Sequence, residues 1–511
     1  MESTNQSSSS ASAAPSRSQQ QRKGLTNSLL DAVFASIYAN LTGGVFLTGF
    51  ALLLGASAFQ LGIIAALPFL ANIFQLLGSY LVENWGHRKK FTVLLASGSM
   101  TIWAVIILLG LILFWLKLHF DSRWLILLLP ISFVLASLAG LSWISWMSDL
   151  VPASIRGRYF GRRNMFSGLT GLIAAILAGQ LLDLFHQGYL GFYLVFLIAI
   201  LARTVSVYFL NRVPDLVPIE KTAKINYRQL LFKSWQNRNF RKYVIFAIIW
   251  GASFNLPGPF FAVYMIRDLH LNYSFLTLLT AMTALMDLLG QRYWGIISDR
   301  VGNRPVMLIN GLITVSVPLV WMFTGSHPMS LLILLPIIHL YSGFSLAGFN
   351  LCNANLLFHL VPKKQNTVFF AVSSGATGLI IAIVTIVGGV IAKYVTPLTL
   401  FGVEALSGLK ILFALSFLTR LLAIPFLLGV REMKETSVSS TIQVMISSRP
   451  LNLMPGFHPV LNYFILTCKS ISKLDKRGLP LRALLKPVLR IGKNQKAWEV
   501  VYLHRINKNM K

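Results

Sequence analysis

The segment Phe91–Leu116, FTVLLASGSMTIWAVIILLGLILFWL, runs for 26 residues without a charged side chain. A helix rises 1.5 Å per residue, so about 20 apolar residues cross the roughly 30 Å hydrocarbon core of a bilayer. Backbone amides and carbonyls find no water there and must bond within the segment, which makes the run a helix. Leu190–Leu210 reads the same way. Working outward, the sequence holds twelve predominantly apolar runs, near 28–53, 59–82, 91–116, 124–147, 164–185, 190–210, 242–265, 274–297, 305–324, 330–357, 368–392 and 406–429. Only 12% of the 511 residues are charged and 55% are hydrophobic. A soluble domain carries about 25% charged residues, so most of this surface does not face water. The fold class is an all-α integral membrane protein with twelve transmembrane helices.

The net charge of +29 does not point to nucleic acid, because the lysines and arginines lie between apolar runs and in the tail. One set of loops carries Arg88, Lys89 and Lys90, then Arg156, Arg158, Arg162 and Arg163, then Arg300, Arg304, Lys363 and Lys364. The opposite loops hold little beyond Lys117, Arg123, Arg267 and Lys393. The positive-inside rule makes the basic side cytoplasmic, which places both termini there and requires an even number of spans. Residues 1–24, rich in Ser, Ala and Gln, read as a disordered cytoplasmic leader. Cys352 and Cys468 form neither a disulfide framework nor a metal site. A prokaryotic plasma (inner) membrane is the expected location.

The two halves of the chain repeat one another. Leu150-Val151-Pro152 returns as Leu360-Val361-Pro362, an offset of 210, and at the same offset Gly168-Leu169 meets Gly378-Leu379. Asn40-Leu41-Thr42-Gly43 with Phe46 matches Asn255-Leu256-Pro257-Gly258 with Phe261 at 215, and Leu201-Ala202-Arg203 matches Leu418-Thr419-Arg420 at 217. Six spans separate equivalents, so the repeats are parallel, the arrangement that rocking about a central site requires. The predicted domains are six-helix bundles at 25–212 and 242–431, a cytoplasmic linker at 213–241, and a basic cytoplasmic tail at 432–511.

The loop after the second span of the second half reads Gly295-x-x-x-Asp299-Arg300-x-Gly302-x-Arg304, and the first half keeps a degenerate copy with Glu83, Gly86 and Arg88. With Asp149-Leu-Val-Pro and Arg156-Gly-Arg following the fourth span, these residues resemble the major facilitator superfamily over about residues 25–432. The resemblance implies a secondary transporter working by alternating access, with the two loop motifs gating the cytoplasmic helix ends. It also implies that the first and fourth helices of each half line a central cavity. The polar and amphipathic residues there are Asn40, Asn255, Asn350, Asn353, Trp143 and Trp146, the candidate substrate-binding set.

Ionisable residues inside spans are costly and are functional candidates for that reason. Asp31 and Asp287 are the candidates for coupling a proton or other ion, although Asp31 also suits a helix-dipole partner in a first turn. Arg203 and Arg420 are repeat equivalents and read as scaffold, and His339 reads as a core residue. No phosphate-cradling glycine loop or metal-ligand spacing is present, so neither an enzyme nor a bound cofactor is expected. The expected partners are a small-molecule substrate, a coupling proton or ion and the lipid bilayer, with the chain a monomer. Few cavity charges favour a neutral or amphipathic solute, or efflux of hydrophobic compounds. The alternative is a nontransporting sensor or scaffold that binds a small ligand.

Overall fold

The computed structural model describes residues 17–75, 87–152, 154–215, 235–360, 366–394, 398–400, 403–406 and 408–432. Twelve helical segments run through it. The first half holds α1 (Arg17–Leu41, then Gly44–Leu53), α2 (Ala58–Ala71), α3 (Arg88–Trp115), α4 (Ser122–Leu150), α5 (Arg156–Leu184) and α6 (Tyr189–Asn211). The second holds α7 (Arg238–Asn255, then Gly258–Val263), α8 (Tyr273–Val301), α9 (Asn303–Met322), α10 (Leu335–Leu360), α11 (Asn366–Tyr394) and α12 (Gly408–Leu428). A short antiparallel hairpin, Leu398–Leu400 with Val403–Leu406, joins α11 to α12. Eleven of the described helices are long and apolar enough to cross a membrane, and the described part of α2 is shorter.

Local signals start these helices where the chain turns. Ser57 and Gln60 form a reciprocal capping box at α2, which satisfies two otherwise orphaned backbone amides. Asn272 caps α8 and Asn237 caps α7. At the tight α8–α9 turn Gly302 takes a φ of 96°, a conformation open to glycine and strained for residues with a Cβ. The helix α1 begins at Arg17, inside the predicted leader. Its polar start, Arg-Ser-Gln-Gln-Gln-Arg-Lys, consists largely of good helix formers, and Gln21 is anchored by donating to the Leu150 carbonyl at 2.7 Å. The rest of the leader, the linker core at 216–234, Glu83, Gly86 and the tail beyond 432 lie outside the described residues.

The apolar surface points outward. Most of the apolar surface of α3 is not buried within the protein, and Leu108, Phe114 and Trp115 are exposed. That is the pattern of a helix solvated by lipid, since acyl chains are as apolar as leucine side chains.

The halves reproduce the same packing. In the first, α1 packs on α5 and α6, α4 on α2 and α3, and α3 on α6. In the second, α7 packs on α11 and α12, α10 on α8 and α9, and α9 on α12. Two further pairs, α2 with α11 and α5 with α8, join the halves and are themselves exchanged by the repeat. The duplication visible in the sequence is therefore a duplication of packing, with a pseudo-two-fold interface between the copies.

Candidate functional site

Both α1 and α7 break at the repeated Asn-Leu-x-Gly motif. In α1 the helix stops at Leu41 and restarts at Gly44, which has a φ of 50°. In α7 it stops at Asn255 and restarts at Gly258 after Pro257, which has no amide hydrogen to continue the ladder. A break leaves terminal amides and carbonyls without helical partners. Such backbone is tolerated at membrane depth only where it is buried or faces a cavity. Here Gly43, Gly44, Asn255, Gly258 and Pro259 all line one cavity of about 830 Å³ between the halves.

Its walls differ in chemistry. The first half presents Val45, Leu47, Leu61, Ile64, Phe69 and Phe133 among its lining, and Thr48 is its sole polar side chain there. The second half supplies Asn255, Thr283, Asp287, Thr314, His339, Asn350 and Arg420 beside the apolar Phe261, Met265, Val317, Trp321 and Leu346. Every ionisable residue of the lining therefore lies on one side. The helices α8 and α10 can meet closely because Gly343 has no side chain; a Cβ there would collide with the Thr283 carbonyl oxygen. One turn earlier, His339 Nδ1 lies 2.8 Å from Thr283 Oγ1, and its Nε2 is buried without a hydrogen-bond partner. Asp287, one turn beyond Thr283, accepts from Gln291 at 2.8 Å. Arg420, only 1% exposed, donates from Nη1 to the Thr314 carbonyl at 2.9 Å and stacks 4.6 Å from the Phe254 ring centroid.

Among the sequence candidates, Asn255, Asn350 and Asp287 reach this lining. The others are placed elsewhere. Asn40 donates to the Ser36 carbonyl at 2.8 Å and fills the notch at Gly171 on α5. Asn353 accepts from the Tyr243 hydroxyl at 2.9 Å and ties α10 to α7. Trp146 is buried and donates to the Pro214 carbonyl at 3.2 Å. Trp143 carries the Arg163 guanidinium 4.1 Å above its ring.

Asp31 sits in a buried polar cluster within the first half. It accepts from Ser206 Oγ at 2.7 Å and lies 3.7 Å from Arg163 Nη2, while Arg203 donates to the same Ser206 hydroxyl at 3.0 Å. Because α1 begins at Arg17, Asp31 lies several turns inside it, and a first-turn dipole role does not apply. Helix phase decides these outcomes. Residues in one span share a hydropathy profile yet face different neighbours, and sequence spacing alone gives no absolute rotation.

Of the gating residues, Arg88 pairs with Asp149 at the end of α4, and Arg304 donates to the Leu428 carbonyl at 2.6 Å while its amide binds Glu432. Asp299 and Arg300 are exposed at the end of α8, and a Cβ at Gly295 would meet Leu351 at an ordinary 3.5 Å. Each described contact stays within one half. At this end of the bundle, Gly157, Gly161 and Gly168 of α5 have open space where a Cβ would point.

The other end is sealed by the two inter-half pairs. A Cβ on Gly62 of α2 would lie 2.9 Å from Gly389 Cα of α11. Asp183 near the end of α5 accepts from the Tyr273 amide at 2.9 Å and the Ser274 amide at 2.7 Å, and so caps α8 across the interface. Backbone cannot yield as a flexible side chain can, so Gly62→Val is expected to pry this seal apart. The check is a cysteine at Thr48, modified by an impermeant thiol reagent applied from the sealed face. Its labelling should accelerate about tenfold, and an unchanged rate would show that the α2–α11 contact is not part of the closure.

The sequence pattern of the Major Facilitator Superfamily matches residues 30–256 and again 243–470. The chain belongs to the Major Facilitator Superfamily. Membership makes it an integral membrane transporter of small molecules rather than an enzyme. No curated protein matches the sequence. Among solved structures, the nucleoside transporter NupG is similar with a TM-score of 0.60 at 14% identity, covering 80% of this chain and 98% of that one. A bacterial homologue of the iron transporter ferroportin, inward-facing, gives 0.59 at 19%, covering 81% and 99%. A bacterial homologue of the human lysosomal transporter Spinster, inward-facing and unoccupied, gives 0.57 at 14%, covering 84% and 98%. At these identities the likeness is one of fold.

Proposed function

We propose that this superfamily member is a gradient-driven secondary transporter of an amphipathic small organic solute, acting as a monomer by alternating access. The observation that carries the reading is the two-faced cavity. An apolar wall from one half and a mixed wall from the other, which carries every ionisable residue of the lining, border about 830 Å³, within the range of sites that hold drug-sized ligands. The solute lays its apolar body against the first half and is oriented by Asn255 and Asn350 in the second. Asp287, on the same polar wall, is the candidate carrier of the coupling proton. The basic loops mark the open face as cytoplasmic, so this conformation is the inward-open one. Opening the other face requires parting α2 from α11 and α5 from α8. The exchange of these pairs by the repeat supports a rocking motion between equivalent arrangements. One chain completes the cavity, which supports a monomer.

The test is a thermal-stability screen of the purified protein against amphipathic solutes, followed by uptake into proteoliposomes. A ligand at a hundred times its Kd adds about 2.7 kcal/mol to a reversible unfolding transition. Losing one hydrogen bond of about 0.5–1.5 kcal/mol weakens binding roughly 3- to 10-fold. Asn255→Ala and Asn350→Ala should each show that loss, and Asn40→Ala, outside the cavity, should not. Equal effects of all three would remove the site. Binding without gradient-dependent uptake would replace the transporter reading with that of a sensor.

A further inference from the structure

Among the described residues three ionisable side chains line the cavity, and two of them are closed to it. Arg420 is 1% exposed with its Nε shut in, and His339 is buried against Thr283 with its Nε2 enclosed. The third, Asp287, is only half-buried. Its Oδ2 accepts from Gln291 at 2.8 Å, while Oδ1 accepts from no described residue and stays accessible. None of the ion pairs among the described residues includes it. The charge this cavity offers to a ligand is therefore a negative one.

A carboxylate inside a membrane bundle is costly and marks a partner or a task. The surroundings of Asp287 supply no cationic partner. Thr283 and Thr280, one and two turns before it on the same face of α8, are engaged with His339 and with the Thr277 carbonyl. Across the cavity Phe69 and Phe133 are half-buried on the first-half wall, and no described ring or cation stacks on either. Open aromatic faces attract positive charge as well as apolar surface.

We infer that the solute is an amphipathic organic cation, its ammonium-type group paired with Asp287 and its apolar body laid against Phe69 and Phe133. The ammonium donates to Oδ1 in a charge-assisted hydrogen bond, which is stronger than one between neutral groups. This rests on the amphipathic-solute reading above and adds the sign of the polar group. A proton and an ammonium group need the same oxygens, so each excludes the other at Asp287, and its coupling role becomes exchange of one for the other.

The experiment compares three probes of similar shape by isothermal titration calorimetry on the full chain in phosphatidylcholine nanodiscs, with empty nanodiscs subtracted: 2-naphthylmethylammonium, 2-naphthalenemethanol and 2-naphthoate. The ammonium should bind at least about tenfold tighter than the other two. In Asp287→Asn, which keeps the side-chain shape, that preference should vanish while the alcohol still binds, which also shows that the variant is folded. Asp287→Glu, which keeps the charge, should retain the preference. Should neither variant fold, the wild-type ranking alone decides. Equal binding of the ammonium and the alcohol, or a preference for naphthoate, overturns the cation assignment and leaves the amphipathic reading in place. A preference for the ammonium that survives in Asp287→Asn overturns the pairing with Asp287. Binding of none of the three overturns both the cation assignment and the amphipathic reading.

Discussion

Asp183→Ala is expected to move the resting population toward the state open on the face that α2–α11 and α5–α8 seal. The carboxylate accepts two backbone amides from the first turn of α8, at 2.9 and 2.7 Å, across the boundary between the halves. Hydrogen bonds to a charged group contribute about 1.5–3 kcal/mol each, and a carboxylate at a helix N-terminus gains a further few tenths from the dipole. Water entering the opened gap replaces part of this, so a net change of about 2 kcal/mol is expected, roughly a 30-fold shift in the equilibrium constant. Asp183→Asn should shift less, because its amide oxygen can still accept one bond. Spin labels at Lys117 and His327, exposed at the sealed end of opposite halves, report the change. A longer-distance population should grow in the alanine variant, and an unaltered distance distribution would show that the capping contact does not hold the seal. The local sequence around Asp183 does not announce this contact, because its partners lie 90 and 91 positions away.

Asp31→Ala is expected to destabilise the protein while leaving solute affinity intact. Removing it leaves the half-buried Arg163 and Arg203 without their carboxylate, and breaking a buried charge cluster costs up to about 3–5 kcal/mol. Asp31 and Ser206 are both buried, and the Ser206 hydroxyl that bridges Asp31 to Arg203 would lose its acceptor. The thermal unfolding midpoint should fall by several degrees. The double variant Asp31→Ala/Arg163→Leu should recover part of the loss, because the stranded charge leaves with its partner. A coupling carboxylate would behave differently. The single variant would then retain stability and binding but lose dependence of uptake on the proton gradient, and that outcome would move Asp31 from scaffold to coupling.

The part of the design legible in the sequence is the part fixed by the solvent. A 26-residue uncharged segment such as Phe91–Leu116 has one low-energy solution in a bilayer, and twelve predominantly apolar segments give the helices directly. The repeat is equally local. Asn40-Leu41-Thr42-Gly43 and Asn255-Leu256-Pro257-Gly258 signal their equivalence by residue type, and the structure shows that both are helix breaks at the cavity. Asn255, Asn350 and Asp287, which line that cavity, stand out in the sequence because polar atoms in hydrocarbon must have a reason to be there.

What the sequence could not supply is rotation. Asn40 and Asn255 are repeat equivalents of identical chemistry, yet the first fills a notch at Gly171 and the second lines the cavity. Lipid imposes no preferred direction on a helix apolar on several faces, so its phase is set by contact with neighbours such as Gly343 against Thr283. The same holds for charge. Arg203 and Arg420 look alike in sequence, and only the tertiary structure shows that one is bridged through Ser206 to Asp31 while the other has Phe246 at the corresponding α7 position. Local composition determined that this chain spans the membrane twelve times in two matching halves. Packing between distant segments decided which of its few polar residues meet, because a buried charge takes its meaning from neighbours that the chain brings from far away.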